Sequence, residues 1–314
     1  ITLSWEYDSR GRINTDYIGD LDGVDVTSPT WLSIVNGKGE IKSKVNNAYI
    51  SWAKERGYKI WPLVNNSFDP DITHEFLNDT LTRERIINEL LNIVKNNELD
   101  GINIDFENIY LKDKDELVQF IRELTPIFNS NNLIVSMDVT IKGGSYTWSK
   151  CFDRKELGKV LDFMAIMTYD EHWATSPKAG SVASIGWVEK GIKGIMKDVP
   201  KEKILMGVPF YTRIWIEEKD ATGKNKVTSK AVSMKYVENL INDNNLKKVW
   251  LQDKGQYYVE YMKNNKRYRI WVEDKKSIEL KARLVNELDI SGVATWRRGF
   301  ETTDVWKAID DMLN

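Results

Sequence analysis

The 314-residue chain holds one cysteine, Cys151, and two histidines, His74 and His172. A lone thiol excludes internal disulfides and cysteine-based metal sites. It does not fix the redox compartment, because exported proteins can also lack disulfides. Two distant histidines without a carboxylate cluster do not make a metal site, so neither a metal nor a cofactor is expected. No run of 18 apolar residues occurs, and no membrane span is expected. A P-loop, a dinucleotide fingerprint and a Gly-x-Ser-x-Gly elbow are all missing, which disfavours nucleotide-binding and serine-hydrolase classes. Charge of one sign is missing too: 45 basic residues face 47 acidic ones, for a net charge of -2. That balance argues against nucleic acid or an anionic membrane bound through bulk charge.

What the chain does have is aromatic surface. Its hydrophobic fraction of 41% and charged fraction of 29% are ordinary for a globular protein, but 12 Trp and 13 Tyr are present. Trp packs in a core or lines a binding surface, where its flat ring can stack on a sugar face. Composition does not choose between them.

Short β-rich apolar runs alternate with amphipathic helical patterns. Strands are expected at 1–7, 24–34, 59–65, 99–109, 133–141, 162–169, 204–211 and 291–296. Helices are expected at 46–56, 82–96, 114–128, 153–160, 187–197 and 277–288, with Thr82 and Ser277 as N-caps. Eight β–α repeats imply a closed α/β barrel, the (β/α)8 TIM barrel, with a doubly wound open sheet as the runner-up. One interval breaks the rhythm. Between strand seven and the next helix, residues 216–271 form an expected α+β insertion, and the barrel takes 1–215 and 272–314. The insertion has a helix at 234–242, strands at 247–252, 256–262 and 266–272, and a hairpin turn at Asn264-Asn265. Residues 217–228 read as a polar surface loop leading into it.

The segment from Leu99 to Glu107 carries the chemistry. Ile102, Ile104 and Phe106 alternate with Asn103, Asp105 and Glu107, so a strand puts three polar groups on one face. Strands of a parallel barrel are buried on both sides and should read as continuously apolar. Burying two carboxyls there costs several kcal/mol each unless they are paired or protonated. An edge strand with a wet face is the alternative, and its place as the fourth of eight strands opposes it. Glu107 falls at the carboxyl end of the strand, the face where barrel enzymes keep their active sites. Asp105 lies beneath it. Neighbouring carboxyls do not both ionise cheaply, so one is held protonated, as a general acid requires.

Here the chain resembles glycoside hydrolase family 18, the chitinase-like family. Its Asp-x-x-Asp-x-Asp-x-Glu strand is matched by Asp100, Asn103, Asp105 and Glu107, with Asn103 replacing the middle Asp. Met167-Thr168-Tyr169-Asp170 resembles the Met-x-Tyr-Asp of the sixth strand. Gly207-Val208-Pro209-Phe210-Tyr211-Thr212-Arg213 resembles the Gly-x-Pro-x-Tyr-x-Arg of the seventh. Trp296 closes the eighth, and the insertion falls where many members carry one. The run Tyr169-Asp170-Glu171-His172-Trp173 is closer to the spore-germination, cortex-lytic branch of N-acetylglucosaminidases.

The resemblance implies retention of configuration without a protein nucleophile. The 2-acetamido oxygen of the substrate attacks the anomeric carbon and forms an oxazolinium ion. Glu107 protonates the glycosidic oxygen and then activates water, while Asp105 orients the acetamide N–H. Tyr211 or Tyr169 binds the acetamide oxygen, Met167, Tyr169 and Asp170 contact the sugar, and Trp296 floors it. Asn103 is expected to hydrogen-bond Asp105 without carrying charge, leaving Asp105 a stronger acid than above a second carboxylate. Asp138, closing the fifth strand, either faces the site or caps a loop. Trp5, Trp31, Trp173 and Trp215 lie near strand ends and are candidate sugar platforms, whereas Trp52, Trp187 and Trp306 read as core. The implied substrate is a polysaccharide containing β-1,4-linked N-acetylglucosamine, with peptidoglycan of the spore cortex first and chitin second. A non-catalytic lectin and an endo-β-N-acetylglucosaminidase on glycoproteins are the alternatives. With no leader at Ile1, the chain reads as a processed or trimmed catalytic region. A monomer is expected, acting outside the cytoplasm: secreted, or bound to cell wall or spore.

Overall fold

The computed structural model describes residues 1–7, 21–219 and 222–313. Eight parallel strands close into a barrel. They are Thr2–Glu6, a second strand in two pieces (Val26–Pro29 and Leu32–Ile34), a third in two pieces (Lys59–Ile60 and Leu63–Asn65), Gly101–Asp105, Ile134–Thr140, Phe163–Met167, Ile204–Pro209 and Gly292–Trp296. The first strand pairs with the eighth at Thr2↔Val293 and with the second at Leu3↔Val26. The third pairs with the second through both of its pieces and with the fourth at Leu63↔Asn103. Pairing of the first strand with the eighth excludes the open-sheet topology. Pro62, with no N–H to give the ladder, sits where the third strand is interrupted.

Alternation along each strand separates two cores. Leu3, Trp5, Val26, Trp61, Leu63, Ala165, Leu205 and Ala294 pack inside the barrel, where Trp61 stacks on Phe163 at 5.7 Å. Ile102, Ile104 and Phe106 point outward and join the helices. Those helices include Asn47–Glu55, Thr80–Asn96, Lys114–Asn129, Arg154–Val160, Ile185–Ile195, Lys275–Leu288 and Asp304–Leu313. Gly101 is required by close approach: a Cβ there would lie 2.5 Å from the Ile134 carbonyl oxygen. Asp100, the first acid of the fourth-strand motif, accepts from the Ile60 N–H at 2.9 Å and pairs with Lys59 at 3.0 Å. It therefore ties strands three and four together at their amino ends.

Several local expectations need correction. Helix Thr80–Asn96 is capped by Asp79, whose carboxylate accepts from the Thr82 N–H; Thr82 is inside the helix. Helix Lys275–Leu288 is capped by Asp274, and Ser277 is the returning partner of a capping box. Helix Pro70–Asn78, with Asp69 as its cap and Pro at its start, was not expected from periodicity. Within the expected loop at 217–228, residues 217–219 and 225–228 instead belong to a long antiparallel pair, Tyr211–Lys219 with Asn225–Ser233.

That pair opens a five-stranded antiparallel sheet completed by Lys266–Val272, Gln256–Lys263 and Lys248–Leu251, with helix Met234–Asp243 against it. Asn264 and Asn265 have φ of 51° and 59°, as a two-residue hairpin turn demands. The sheet is anchored to the barrel by a buried charge pair. Glu273 accepts from Lys281 Nζ at 2.9 Å, and Ser277 and Gln256 donate to the same carboxylate.

Candidate active site

At the carboxyl ends of the strands lies a cavity of about 460 Å³. A larger one, about 960 Å³, lies between the insertion and the barrel helices, away from the strand ends. The smaller cavity gathers the acids. Asp105 and Glu107 come from the fourth strand and its exit, Asp138 from the fifth, Asp170 from the exit of the sixth. Tyr169, Tyr211, Trp5 and Trp296 supply aromatic walls, with Met167 beside them. The structure thus brings together Asp105, Glu107, Asp138, Met167, Tyr169, Asp170, Tyr211, Trp5 and Trp296.

Three other candidates lie elsewhere. Trp31 is buried in the outer core, edge-on to Tyr49 at 5.4 Å. Its strand is interrupted beside it, which turns the ring away from the barrel interior. Trp215 is fully buried in the insertion sheet and donates to the Gly180 carbonyl at 2.8 Å. Trp173 is half exposed, but its ring lies outside the cavity and its indole N–H goes to Thr175 Oγ1 at 3.1 Å. These three positions correct the expectation of cleft platforms there.

Asn103 sits beneath the cavity, and its contacts differ from expectation. Its amide donates to Asp138 Oδ1 at 2.8 Å and to Ser136 Oγ at 3.0 Å. Its oxygen accepts from Trp5 Nε1 at 2.9 Å. No bond to Asp105 is made; Asp105 Oδ1 is buried without a hydrogen-bond partner among the described residues. The amide that replaces the family's middle Asp is therefore committed to the fifth strand. In the register of strands four and five, Asn103 faces Ser136 and Ile104 faces Met137, so Asp105 and Asp138 stand level on the inner face.

Among the described residues no cation pairs with Asp105, Glu107 or Asp138, and burial dominates their protonation. Burial pushes the Asp105 carboxyl up to about 7. Burial also lifts Glu107 well above the usual carboxylate range, and the charges of Asp105 and Asp170 lift it further. Asp138 is raised by burial and by Asp105, against which the Asn103 hydrogen bond works. Three neighbouring carboxyls in this cleft share fewer charges than three, and their protons leave as those of a set.

Other contacts fix the geometry. The Asn66 side chain accepts from the Glu107 N–H at 3.0 Å and donates to the Glu107 carbonyl at 2.7 Å, holding the backbone of the acid from both sides. Tyr211 donates its phenol to Asp170 Oδ1 at 2.7 Å, and Arg213 Nη2 donates to the same oxygen at 2.8 Å. Asp170 itself has φ of 60°, an uncommon value for a non-glycine residue that turns the chain sharply at the strand exit. Glu6 is paired with Arg298, both buried, and does not line the cleft. His74 contacts Asp113 at 2.7 Å and His172 the Ser181 carbonyl at 2.9 Å, each away from the acids. Among the described residues no group of three or more potential metal ligands occurs.

Sequence reasoning passed over Phe68, Trp148, Arg297 and Phe300, which also line the cavity. Phe68, Arg297 and Phe300 lie in loops after strands and Trp148 in the short helical turn Tyr146–Lys150, where periodicity gives no signal. Asn66 was equally silent, since nothing local marks its link to Glu107.

An Asn103→Asp substitution is expected to move both limbs of the pH–rate profile upward by about one unit, because a fourth buried carboxyl adds charge to the set. It also removes the donor that favours the Asp138 anion. Titration of kcat and kcat/KM from pH 4 to 9 checks this, and two unmoved limbs would count against it.

A closed barrel whose carboxyl-end cleft combines an acid pair, half-buried at the strand ends, with aromatic walls is the architecture of a glycoside hydrolase. The chain belongs to glycosyl hydrolases family 18, whose model matches residues 32–301. It is 27% identical over 283 residues to the glycosylase YvbX of Bacillus subtilis, covering 86% of this chain and 80% of that protein. It is also 27% identical over 256 residues to the cortical fragment-lytic enzyme of B. subtilis, covering 80% of this chain but 58% of that longer protein. The crystal structure of the Bacillus megaterium spore cortex-lytic enzyme SleL superposes with a TM-score of 0.88 at 21% identity, over 100% of this chain and 74% of SleL. The family and these relatives support a glycan-hydrolysing role.

Proposed function

We propose that this chain is a retaining glycosidase that cleaves β-1,4-linked N-acetylglucosamine glycans, with spore-cortex peptidoglycan as first substrate and chitin as second. The observation that carries the reading is Glu107, whose carboxyl stands at the open end of the fourth strand above Asp105 and is lifted by burial well above the usual carboxylate range. In this reading the sugar to be cleaved rests on Trp296 with its acetamide turned into the cavity. Asp105, whose Oδ1 has no protein donor, accepts the acetamide N–H and steadies the positive charge that grows as the acetamide oxygen attacks the anomeric carbon. Tyr211 turns its one O–H from Asp170, which keeps Arg213 as a partner, and donates it to that oxygen. Glu107 gives its proton to the departing glycosidic oxygen and takes one from the water that opens the oxazolinium ion.

Similarity to the B. subtilis cortical fragment-lytic enzyme supports the cortex substrate, and with it a site of action outside the cytoplasm. Among the described residues no helix is long and apolar enough to cross a membrane. Incubation with cortex fragments, chitin oligomers and a high-mannose glycopeptide, followed by mass spectrometry and NMR of the anomers, tests the reading. The expected products from cortex end in reducing N-acetylglucosamine in the β configuration. Inversion would overturn the mechanism, and binding without cleavage would turn the reading to a lectin.

A further inference from the structure

Three arginines stand at the open end of the barrel, and two are neutralised. Arg213 pairs with Asp170 at 2.8 Å, and Arg298 is buried against Glu6. Arg297 lines the same cavity as Glu107, yet among the described residues its guanidinium has no ion pair and no hydrogen bond. Two rings hold it instead. Its central carbon lies 4.1 Å from the centre of the Phe300 ring and 4.9 Å from that of Tyr7. Burial pushes its pKa down, against the opposing influence of Tyr7 and Glu301. Glu301, the acid of its own loop, accepts from Trp306 Nε1 at 3.3 Å through Oε1, its Oε2 is buried without a hydrogen-bond partner among the described residues, and it forms no ion pair with Arg297.

A half-buried cation without an anion is costly, and ring stacking offsets only part of that cost. Stacking uses the faces of the guanidinium and leaves its planar N–H fork unused, which is the arrangement that accepts a carboxylate in two parallel hydrogen bonds. Arg297 follows Trp296 directly, so its fork stands beside the sugar that Trp296 would floor. A neutral glycan offers such a fork only hydroxyls. Peptidoglycan offers carboxylates on alternate sugars, from the 3-O-lactyl group of N-acetylmuramic acid or from the peptide built on it.

We propose that Arg297 binds a carboxylate on the sugar next to the one cleaved, and so makes the site selective for acidic over neutral N-acetylated glycans. The proposal rests on the reading of this cavity as the glycan site. The near-zero net charge of the chain is compatible with it, because one local cation provides the recognition.

The test compares the wild-type chain with Arg297→Gln and Arg297→Lys on three soluble substrates of equal length. These are chitin oligomers, peptidoglycan strands with free lactyl groups and strands bearing stem peptides. The ratio of kcat/KM for an acidic strand to that for chitin is expected to fall about tenfold to a hundredfold in Arg297→Gln, mainly through KM. Arg297→Lys should fall less, having the charge without the fork. Loss on the lactyl strand alone identifies that carboxylate, and loss on the peptide strand alone identifies the peptide. A ratio within twofold of wild type on both acidic strands overturns the proposal, because hydrogen bonds to hydroxyls would affect all three substrates alike. If the wild-type chain cleaves none of the three, the proposed function fails instead. Calorimetric affinities of the same proteins for the same strands then decide on Arg297.

Discussion

Glu107→Gln is expected to lower kcat by at least about a thousandfold while the chain still folds and binds glycan. A positioned general acid contributes roughly 10² to 10⁴ in rate, and here one carboxyl would serve both as acid in the first step and as base in the second. An amide can neither give the glycosidic oxygen its proton nor take one from water. The backbone should stay in place, because Asn66 holds it through the N–H and carbonyl of residue 107 rather than through the side chain. Burial raises the Glu107 pKa, so a neutral isostere removes a desolvation cost and thermal stability near neutral pH should not fall. Three measurements check this: product release from cortex or chitin oligomers, calorimetric binding of the same oligomers, and thermal unfolding. An aryl N-acetylglucosaminide with a weakly basic leaving group needs less protonation, so the variant should lose less of its first-step rate on that substrate. Residual turnover above about 1% on natural glycan, or an equal loss on the aryl substrate, would sink the acid role.

The barrel was legible because its strands carry two signals at once. Ile102, Ile104 and Phe106 point to the helices, while Asn103 and Asp105 point to the axis, and only a strand with two buried faces reconciles those facts. The acid column could likewise be read from spacing alone. What could not be read was which neighbour each polar group chooses. Asn103 stands two residues from Asp105 in the chain, yet its amide goes to Asp138 and Ser136 across the strand pair. That choice depends on register between the fourth and fifth strands, which no local pattern encodes. The tryptophans show the same limit. Trp5 lines the cavity and Trp31 lies in the outer core, although both fall near the carboxyl ends of predicted strands, because the second strand is broken at residues 30–31. Arg297 was silent for a related reason: its isolation depends on two rings, one from the first strand's exit and one from its own loop, meeting in space.

Asp105→Asn should move activity and stability in opposite directions. In activity, the acetamide loses its charged acceptor, and kcat is expected to fall about a hundredfold or more. The alkaline limb of the pH–rate profile should also move to lower pH. Glu107 must be protonated to act as acid, its pKa is held up partly by the charge of Asp105, and removing that charge lets it ionise earlier. Stability follows from the sign of the shift. Unfolded, Asp105 titrates near about 3.9, whereas in the folded chain burial lifts it to about 7. Below the unfolded value both states hold the proton, and the carboxyl contributes no pH-dependent penalty. As pH rises from about 4 to 7 the unfolded chain releases its proton first, so wild-type stability declines until the folded carboxyl ionises as well. The amide escapes that decline. The variant should match the wild-type chain near pH 4 and exceed it by about 2–4 kcal/mol above pH 7, since each pKa unit is worth about 1.4 kcal/mol. Asp138 shares the titration, so the rise belongs to the pair rather than to one residue. Denaturant unfolding at pH 4, 6 and 8 measures it. A pH-independent difference, or a variant less stable at pH 8, would show that Asp105 is not a desolvated acid and that the cleft stores no such strain for catalysis.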